Sequence, residues 1–304
     1  MFDNLPKTVK LVEVGPRDGL QNETKILSTA EKLQLINALV SSGIKNIEVT
    51  SFVSPQWIPQ LADADDLCQL LKLPANINTS ALVPNAKGYQ RAKGTSLSTV
   101  AIFMSATETH NKKNINRTID QSLKTFEQLI PLARNDGKKV RAYLSVVFVC
   151  PYEGLTDQDK VVQLCKNLLA LGVDELSLGD TIGAATPKMV LSLISRLQKI
   201  DHLGKFALHF HDTEGMALVN TVAGLEAGIT TFDASIGGMG GCPYAPGAAG
   251  NLATEDLVHL LHSLDIETGV DLDKLIACGE LAQQLLGKQL PGRFLRVALA
   301  KKNK

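Results

Sequence analysis

Eight short β-rich runs alternate with helical segments along this chain, and no other feature restricts the folds open to it as strongly. The runs are Thr8 to Val14, Asn46 to Thr50, Ile77 to Val83, Ser98 to Met104, Val140 to Val149, Glu175 to Leu178, Phe206 to His211 and Thr231 to Ser235. Helix punctuation separates them. Ser28 stands three residues before Glu31, as in a capping box, and Gly43 closes that helix. Asp157 to Leu171 ends at Gly172, Pro187 to Lys199 opens on proline, and Gly215 to Ala227 ends at Gly228. Ile119 to Arg134 is also helical in period, whereas Lys87 to Arg91 carries the faintest helical pattern. Thr254 to Leu264 and Leu272 to Leu286 read as two closing helices.

Such alternation implies a parallel sheet. Eight units in roughly 250 residues match a closed (β/α)8 TIM barrel, with a doubly wound open sheet as the competitor. The positions of the unusual polar residues favour the barrel. Arg17 and Asp18 follow the first run, Glu48 ends the second, Asp180 follows the sixth, His209 and His211 end the seventh, and a glycine-rich loop follows the eighth. All lie at the carboxyl ends of strands, the face on which barrel active sites are built. No repeat, low-complexity tract or linker interrupts residues 1–304, so one barrel domain with C-terminal closing helices is expected.

Lys+Arg and Asp+Glu are equal at 31 each, so net charge gives no reason to expect nucleic acid or an anionic membrane as partner. No apolar run approaches the roughly 18 residues of a membrane span. Met1 to Lys7 lacks the core of a signal peptide, and the five cysteines, Cys68, Cys150, Cys165, Cys242 and Cys278, show no paired spacing. Free thiols in a reducing cytoplasm are therefore expected.

The chemistry gathers around Phe206-Ala207-Leu208-His209-Phe210-His211-Asp212. Alternate residues of a strand share a face, which sets His209 and His211 about 6–7 Å apart along it. The pair is either two satisfied core histidines or two ligands of one metal ion. With Asp18 and the amide oxygen of Asn251 the donor set becomes mixed oxygen and nitrogen. That suits an octahedral Mg²⁺ or Mn²⁺, while zinc also accepts two histidines and a carboxylate. Arg17 directly precedes Asp18, and its guanidinium either holds a developing oxyanion or forms a surface salt bridge. The loop from Gly237 to Asn251 carries Cys242. It reads as a lid bringing a thiol proton donor to substrate, as a phosphate cradle, or as a flexible loop with an incidental cysteine. It lacks a G-x-G-x-x-G pattern, which sets the cradle aside. Glu48 and Asp180 are candidates for a base, an orienter of a ligand or a salt-bridge partner.

These stretches resemble a known family. Gly15-Pro16-Arg17-Asp18-Gly19-Leu20-Gln21-Asn22-Glu23, Glu48 to Pro55, Ser177 to Thr181, His209 to Thr213, Gly240 to Ala245 and Gly250 to Asp256 look like hydroxymethylglutaryl-CoA lyase. The resemblance covers nearly the whole chain. It implies cleavage of 3-hydroxy-3-methylglutaryl-CoA to acetyl-CoA and acetoacetate, a step of leucine degradation and ketone-body formation. It also implies Mg²⁺ or Mn²⁺ and, from the family only, a homodimer. Matched by position, Asp18, His209, His211 and Asn251 are the implied metal ligands, Arg17 the enolate stabiliser and Cys242 the proton donor. Glu48 and Asp180 are implied acidic site residues, with Asp180 or His209 as the base. The basic segment Lys112-Lys113-Asn114 could meet CoA phosphates. The chain departs from the family at Glu214, where Tyr is expected. Two rivals stand beside this reading: a lyase for a related acyl-CoA or a synthase of the same superfamily, and a catalytically dead barrel kept for binding.

Overall fold

The computed structural model describes residues 5–241 and 250–302. Within the fourth run, Val100, Ala101, Ile102 and Met104 are all buried. Successive strand residues face opposite sides, so consecutive buried residues mean a strand covered on both faces, as parallel sheets are. The eight strands are β1 (Lys10–Glu13), β2 (Asn46–Ser51), β3 (Asn78–Leu82), β4 (Thr99–Ser105), β5 (Lys139–Ser145), β6 (Glu175–Asp180), β7 (Phe206–Phe210) and β8 (Thr231–Ala234). They pair in parallel in sequence order. β1 also pairs with β8, with Lys10 opposite Thr231 and Asp233 opposite Val12, which closes the barrel. The open-sheet alternative falls on that pairing.

The helices are α1 (Thr29–Ser41), α2 (Ala64–Leu70), α3 (Ala86–Ala92), α4 (Glu108–Ile115), α5 (Ile119–Asn135), α6 (Gln158–Ala170), α7 (Pro187–Leu197), α8 (Ala217–Glu226), α9 (Thr254–Ser263), α10 (Leu272–Leu286) and α11 (Arg293–Lys302). The capping box forms as the spacing predicts. The Ser28 hydroxyl accepts from the Glu31 N–H at 3.3 Å, and the Glu31 carboxylate accepts from the Ser28 N–H at 2.7 Å. Gly43 after α1 has φ 101°, and a Cβ there would lie 2.3 Å from the Gly269 carbonyl oxygen, so only glycine fits.

Three segments differ from the sequence-based expectation. The basic segment Lys112-Lys113-Asn114, given no helix above, lies in α4, which Asn116 ends in the left-handed region at φ 53°. Its mean polarity conceals a helix that buries only His110 and Asn111. The fifth run ends at Ser145, and Val149–Cys150 pairs back on Gly154–Leu155 as a small hairpin. α11 was not anticipated. It packs on α9 and α10 and is anchored by the Asp256 carboxylate, which accepts from the N–H groups of Arg293 and Phe294 at 3.1 and 2.6 Å.

Two cores result. The main one lies between the barrel wall and the helices, with Leu35, Ile36 and Leu39 of α1 and Leu193, Ile194 and Leu197 of α7 all buried. Inside the barrel the apolar cluster is small: Leu82, Ala101 and Tyr143, with Val53 and Phe103 against it. Buried charged residues, among them Arg17, Glu48, Arg141 and Asp233, lie beside it.

Candidate active site

The turn after β1 builds the first part of the site. The Val14 carbonyl accepts from the N–H groups of Arg17, Asp18 and Gly19 at 3.1, 2.7 and 3.3 Å. This winds Gly15–Gly19 into a single π-helical turn. A Cβ on Gly15 would lie 2.6 Å from Glu13 Oε1, and one on Gly19 2.9 Å from Ser235 Oγ. The glycines therefore let the turn sit against the strand ends while it aims Arg17 and Asp18 across the barrel mouth.

Asp18, His209 and His211 converge: each offers one ligand atom, and these atoms all lie within 4.8 Å of one another. The imidazole centroids are 5.4 Å apart, as neighbours on one strand face require. Asn251 joins them through a bridge to His211, and its Nδ2 donates to Asp18 Oδ2 at 2.8 Å and to the Met239 carbonyl at 2.9 Å. Its Oδ1 is buried without a hydrogen-bond partner among the described residues, and so is His211 Nδ1. A buried acceptor left unmade costs about 1–3 kcal/mol. Two such atoms beside a carboxylate and a second imidazole are the donor set of a divalent cation.

The protonation states agree. Burial works against the charged form of Asp18, yet the Arg17 guanidinium and the two imidazoles hold its pKa down at about 2. Burial, then His209, pushes His211 down to about 4, so near neutrality it is the uncharged imidazole that ligates metals.

Arg17 is only 6% exposed, so the surface salt bridge does not apply. Its Nη1 donates to Asp18 Oδ1 at 2.5 Å, its Nε pairs with Glu48, and its guanidinium lies 5.2 Å from the centroid of Tyr143. Burial opposes its charge, but Glu48 and Asp18 more than compensate and raise its pKa. Glu48 also accepts from the Tyr143 hydroxyl at 2.7 Å. It holds Arg17 and does not reach the metal cluster. Asp180 is placed differently. Its carboxylate turns into its own loop, accepting from the N–H groups of Ala184 and Ala185 at 3.1 Å each. Burial raises its pKa to about 6, those two N–H groups oppose the rise, and exposed Glu214 adds to it.

A cavity of about 690 Å³ opens over the cluster. Arg17, Asp18, Tyr143, His209 and His211 form its floor, and Trp57, Lys113, Asn114 and Arg117 also line it. Gly179 and Thr181 line it where Asp180 itself does not. Gly241 lines it too, with its carbonyl accepting from Asn22 Nδ2 at 2.8 Å. Cys242, the next residue, lies outside the described residues.

Sequence reasoning passed over two further groups. Glu13 accepts from the N–H groups of Gly15 and Ile236 and from Thr254 Oγ1 at 2.7, 2.9 and 2.7 Å. Glu255 accepts from the Gly237 N–H at 2.8 Å. These buried carboxylates tie down both ends of the glycine-rich loop. The other missed group is Arg141 with Asp233, inside the barrel below His209. The signal for Glu13, Arg141 and Asp233 was present: each is a charged residue inside an otherwise apolar parallel strand.

The sequence profile of the HMGL-like family matches residues 8–282. The chain belongs to the HMGL-like family. Among curated relatives, a hydroxymethylglutaryl-CoA lyase of Bacillus subtilis is 47% identical over 96% of this chain and 98% of its own. The solved hydroxymethylglutaryl-CoA lyase of Pseudomonas aeruginosa superposes with a TM-score of 0.96 at 42% identity, over 99% of this chain and all of its own. An HMG-CoA lyase from Acinetobacter baumannii, solved with coenzyme A and 3-methylmalate, has a TM-score of 0.92 at 36% identity over 95% of each chain. Members of the HMGL-like family are metal-dependent, and the Asp18, His209 and His211 cluster is this chain's candidate metal site.

Proposed function

We infer that this protein is a carbon–carbon lyase that cleaves 3-hydroxy-3-methylglutaryl-CoA to acetyl-CoA and acetoacetate. The observation that carries the reading is the convergence of Asp18, His209 and His211 within 4.8 Å beside a buried arginine. Asp18, His209, His211 and the Asn251 amide oxygen would hold Mg²⁺ or Mn²⁺. When bound, the cation supplies a Lewis acid that orients the substrate and makes its C3 hydroxyl more acidic.

The chain's own residues do the remainder. A base takes the hydroxyl proton. His209 cannot serve while it is a ligand, because one ring nitrogen is then committed to the cation and the other faces Asp233. Asp180, with a pKa near 6, is the base in this assignment, and to act it has to leave the N–H groups of Ala184 and Ala185 and turn into the cavity. The C2–C3 bond breaks, its electron pair passes into the thioester, and the enolate of acetyl-CoA leaves. The Arg17 guanidinium, already oriented by Glu48, holds the enolate oxygen. Cys242 delivers a proton to C2, and the position of Gly241 on the cavity wall supports that role. That Lys113 and Asn114 line the cavity supports a role for this basic segment in meeting the CoA phosphates. A cytoplasmic setting is supported by Cys68, Cys150, Cys165 and Cys278, all buried free thiols. A homodimer rests on the family resemblance, and sedimentation velocity tests it.

The deciding experiment is acetoacetate release from 3-hydroxy-3-methylglutaryl-CoA with Mg²⁺, against EDTA and Cys242→Ala controls. Turnover that collapses in both is expected. Absence of turnover in the metal-loaded protein refutes the assignment.

A further inference from the structure

We propose that Asp233 is a positioning residue for His209, fixing which ring nitrogen carries the proton and so which one faces the metal site. The proposal rests on the metal reading above. Asp233 lies on β8 directly opposite His209 of β7 in the strand register, and it is 1% exposed. Its Oδ2 sits 3.2 Å from His209 Nδ1, while His209 Nε2 is turned the other way, 4.0 Å from Asp18 Oδ2.

The chemistry of the partners determines the tautomer. Asp233 accepts from Arg141 twice, at 2.6 Å through Oδ1 and 3.1 Å through Oδ2, and from Ser177 Oγ at 2.7 Å. Arg141 is itself held by Glu175 at 2.7 Å and by the Tyr143 hydroxyl at 2.8 Å. A carboxylate in a bidentate guanidinium pair is ionised and carries no hydrogen to give. Its contact with Nδ1 is therefore a hydrogen bond only if Nδ1 is the protonated nitrogen. In the neutral ring Nε2 then keeps its lone pair, on the side of Asp18 and His211. The same Tyr143 hydroxyl donates to Glu48, which pairs with Arg17. One chain of buried contacts thus runs from the imidazole to the enolate-holding guanidinium.

Asp233→Asn separates this role from simple filling of space. Arg141 needs an oxygen, so the asparagine amide turns its NH₂ toward Nδ1. That moves the ring proton to Nε2, where it blocks ligation. Two measurements test the proposal. The first needs no variant: long-range ¹H–¹⁵N spectra of histidine-labelled, metal-free wild type, with His209 assigned by its loss in His209→Gln. At a pH where the ring is neutral, a protonated Nδ1 and a bare Nε2 are expected, and the opposite tautomer overturns the proposal. The second is Mn²⁺ affinity by titration calorimetry, with circular dichroism in EDTA confirming a folded barrel. Asp233→Asn is expected to weaken binding about 10–100-fold. Equal affinity in wild type and a folded variant overturns the positioning role and leaves the metal reading intact. Wild type that binds no Mn²⁺ overturns the metal reading itself. If the variant does not fold, the wild-type tautomer still decides.

Discussion

Arg17 shows how much one side chain can be asked to do. Its charge is maintained in a buried setting by Glu48 and Asp18, so it is oriented before substrate arrives. Arg17→Ala is expected to lower kcat by about 10²–10³ or more, with a smaller change in KM, because the lost contact matters most when the enolate forms. An unchanged kcat in steady-state assays would remove it from the mechanism. Asp180 makes a pH prediction. Its carboxyl must be ionised to accept a proton, and its pKa is raised to about 6, so kcat/KM should fall as pH drops through that value. Glu214 contributes to the rise by like-charge repulsion, so Glu214→Gln should move the acid limb to lower pH. A limb that stays in place would show that another group sets it. In the sequence, Arg17 and Asp18 could be singled out because glycines and a proline surround them. Glu48 could be placed at a strand end, but not assigned to Arg17, since that contact spans two elements.

At the scale of elements, the loop that carries Cys242 is defined by what grips its ends. Glu13 reaches from β1 to Ile236 and Thr254, and Glu255 reaches from α9 to Gly237. Burial pushes their pKa values up from 4.5, to about 7 for Glu13 and about 8 for Glu255. Folding therefore favours their protonated forms. Their contribution to stability is full below the unfolded pKa and is lost as pH rises through the folded values. Glu255→Gln keeps an acceptor for Gly237 and cannot titrate. Between pH ~5 and ~8 its urea midpoint should fall less than that of wild type, compared in EDTA. Parallel curves would show that Glu255 does not titrate in this window. Helix boundaries were legible where a local device marks them, as at Ser28 and Gly43. α4 and α11 were not, because one is too polar on average and the other is held by tertiary contacts to Asp256.

For the whole molecule, the barrel sets apart an apolar shell outside and buried charged residues inside. Asp18, His209, His211 and Asn251 come from three separate regions of chain, so a cation held by all four links β1, β7 and the segment before α9. Mn²⁺ at about 100 times its Kd should stabilise the fold by about 2.7 kcal/mol, and EDTA should reverse the gain in Tm. Equal Tm with and without Mn²⁺ would argue against a site present only in the folded chain. Sequence alone determined the alternation of strands and helices that calls for a parallel sheet covered on both faces, while its closure into a barrel rests on the β1–β8 pairing. It also determined the aim of His209 and His211, because a strand repeats every two residues. Both are consequences of local periodicity. The partnership of Arg17 with Glu48, the turn of Asp180 into its loop, and the seat of His209 on Asp233 and Arg141 were decided only by tertiary structure. Strand register and barrel closure bring those groups together across separations that no spacing in the chain encodes.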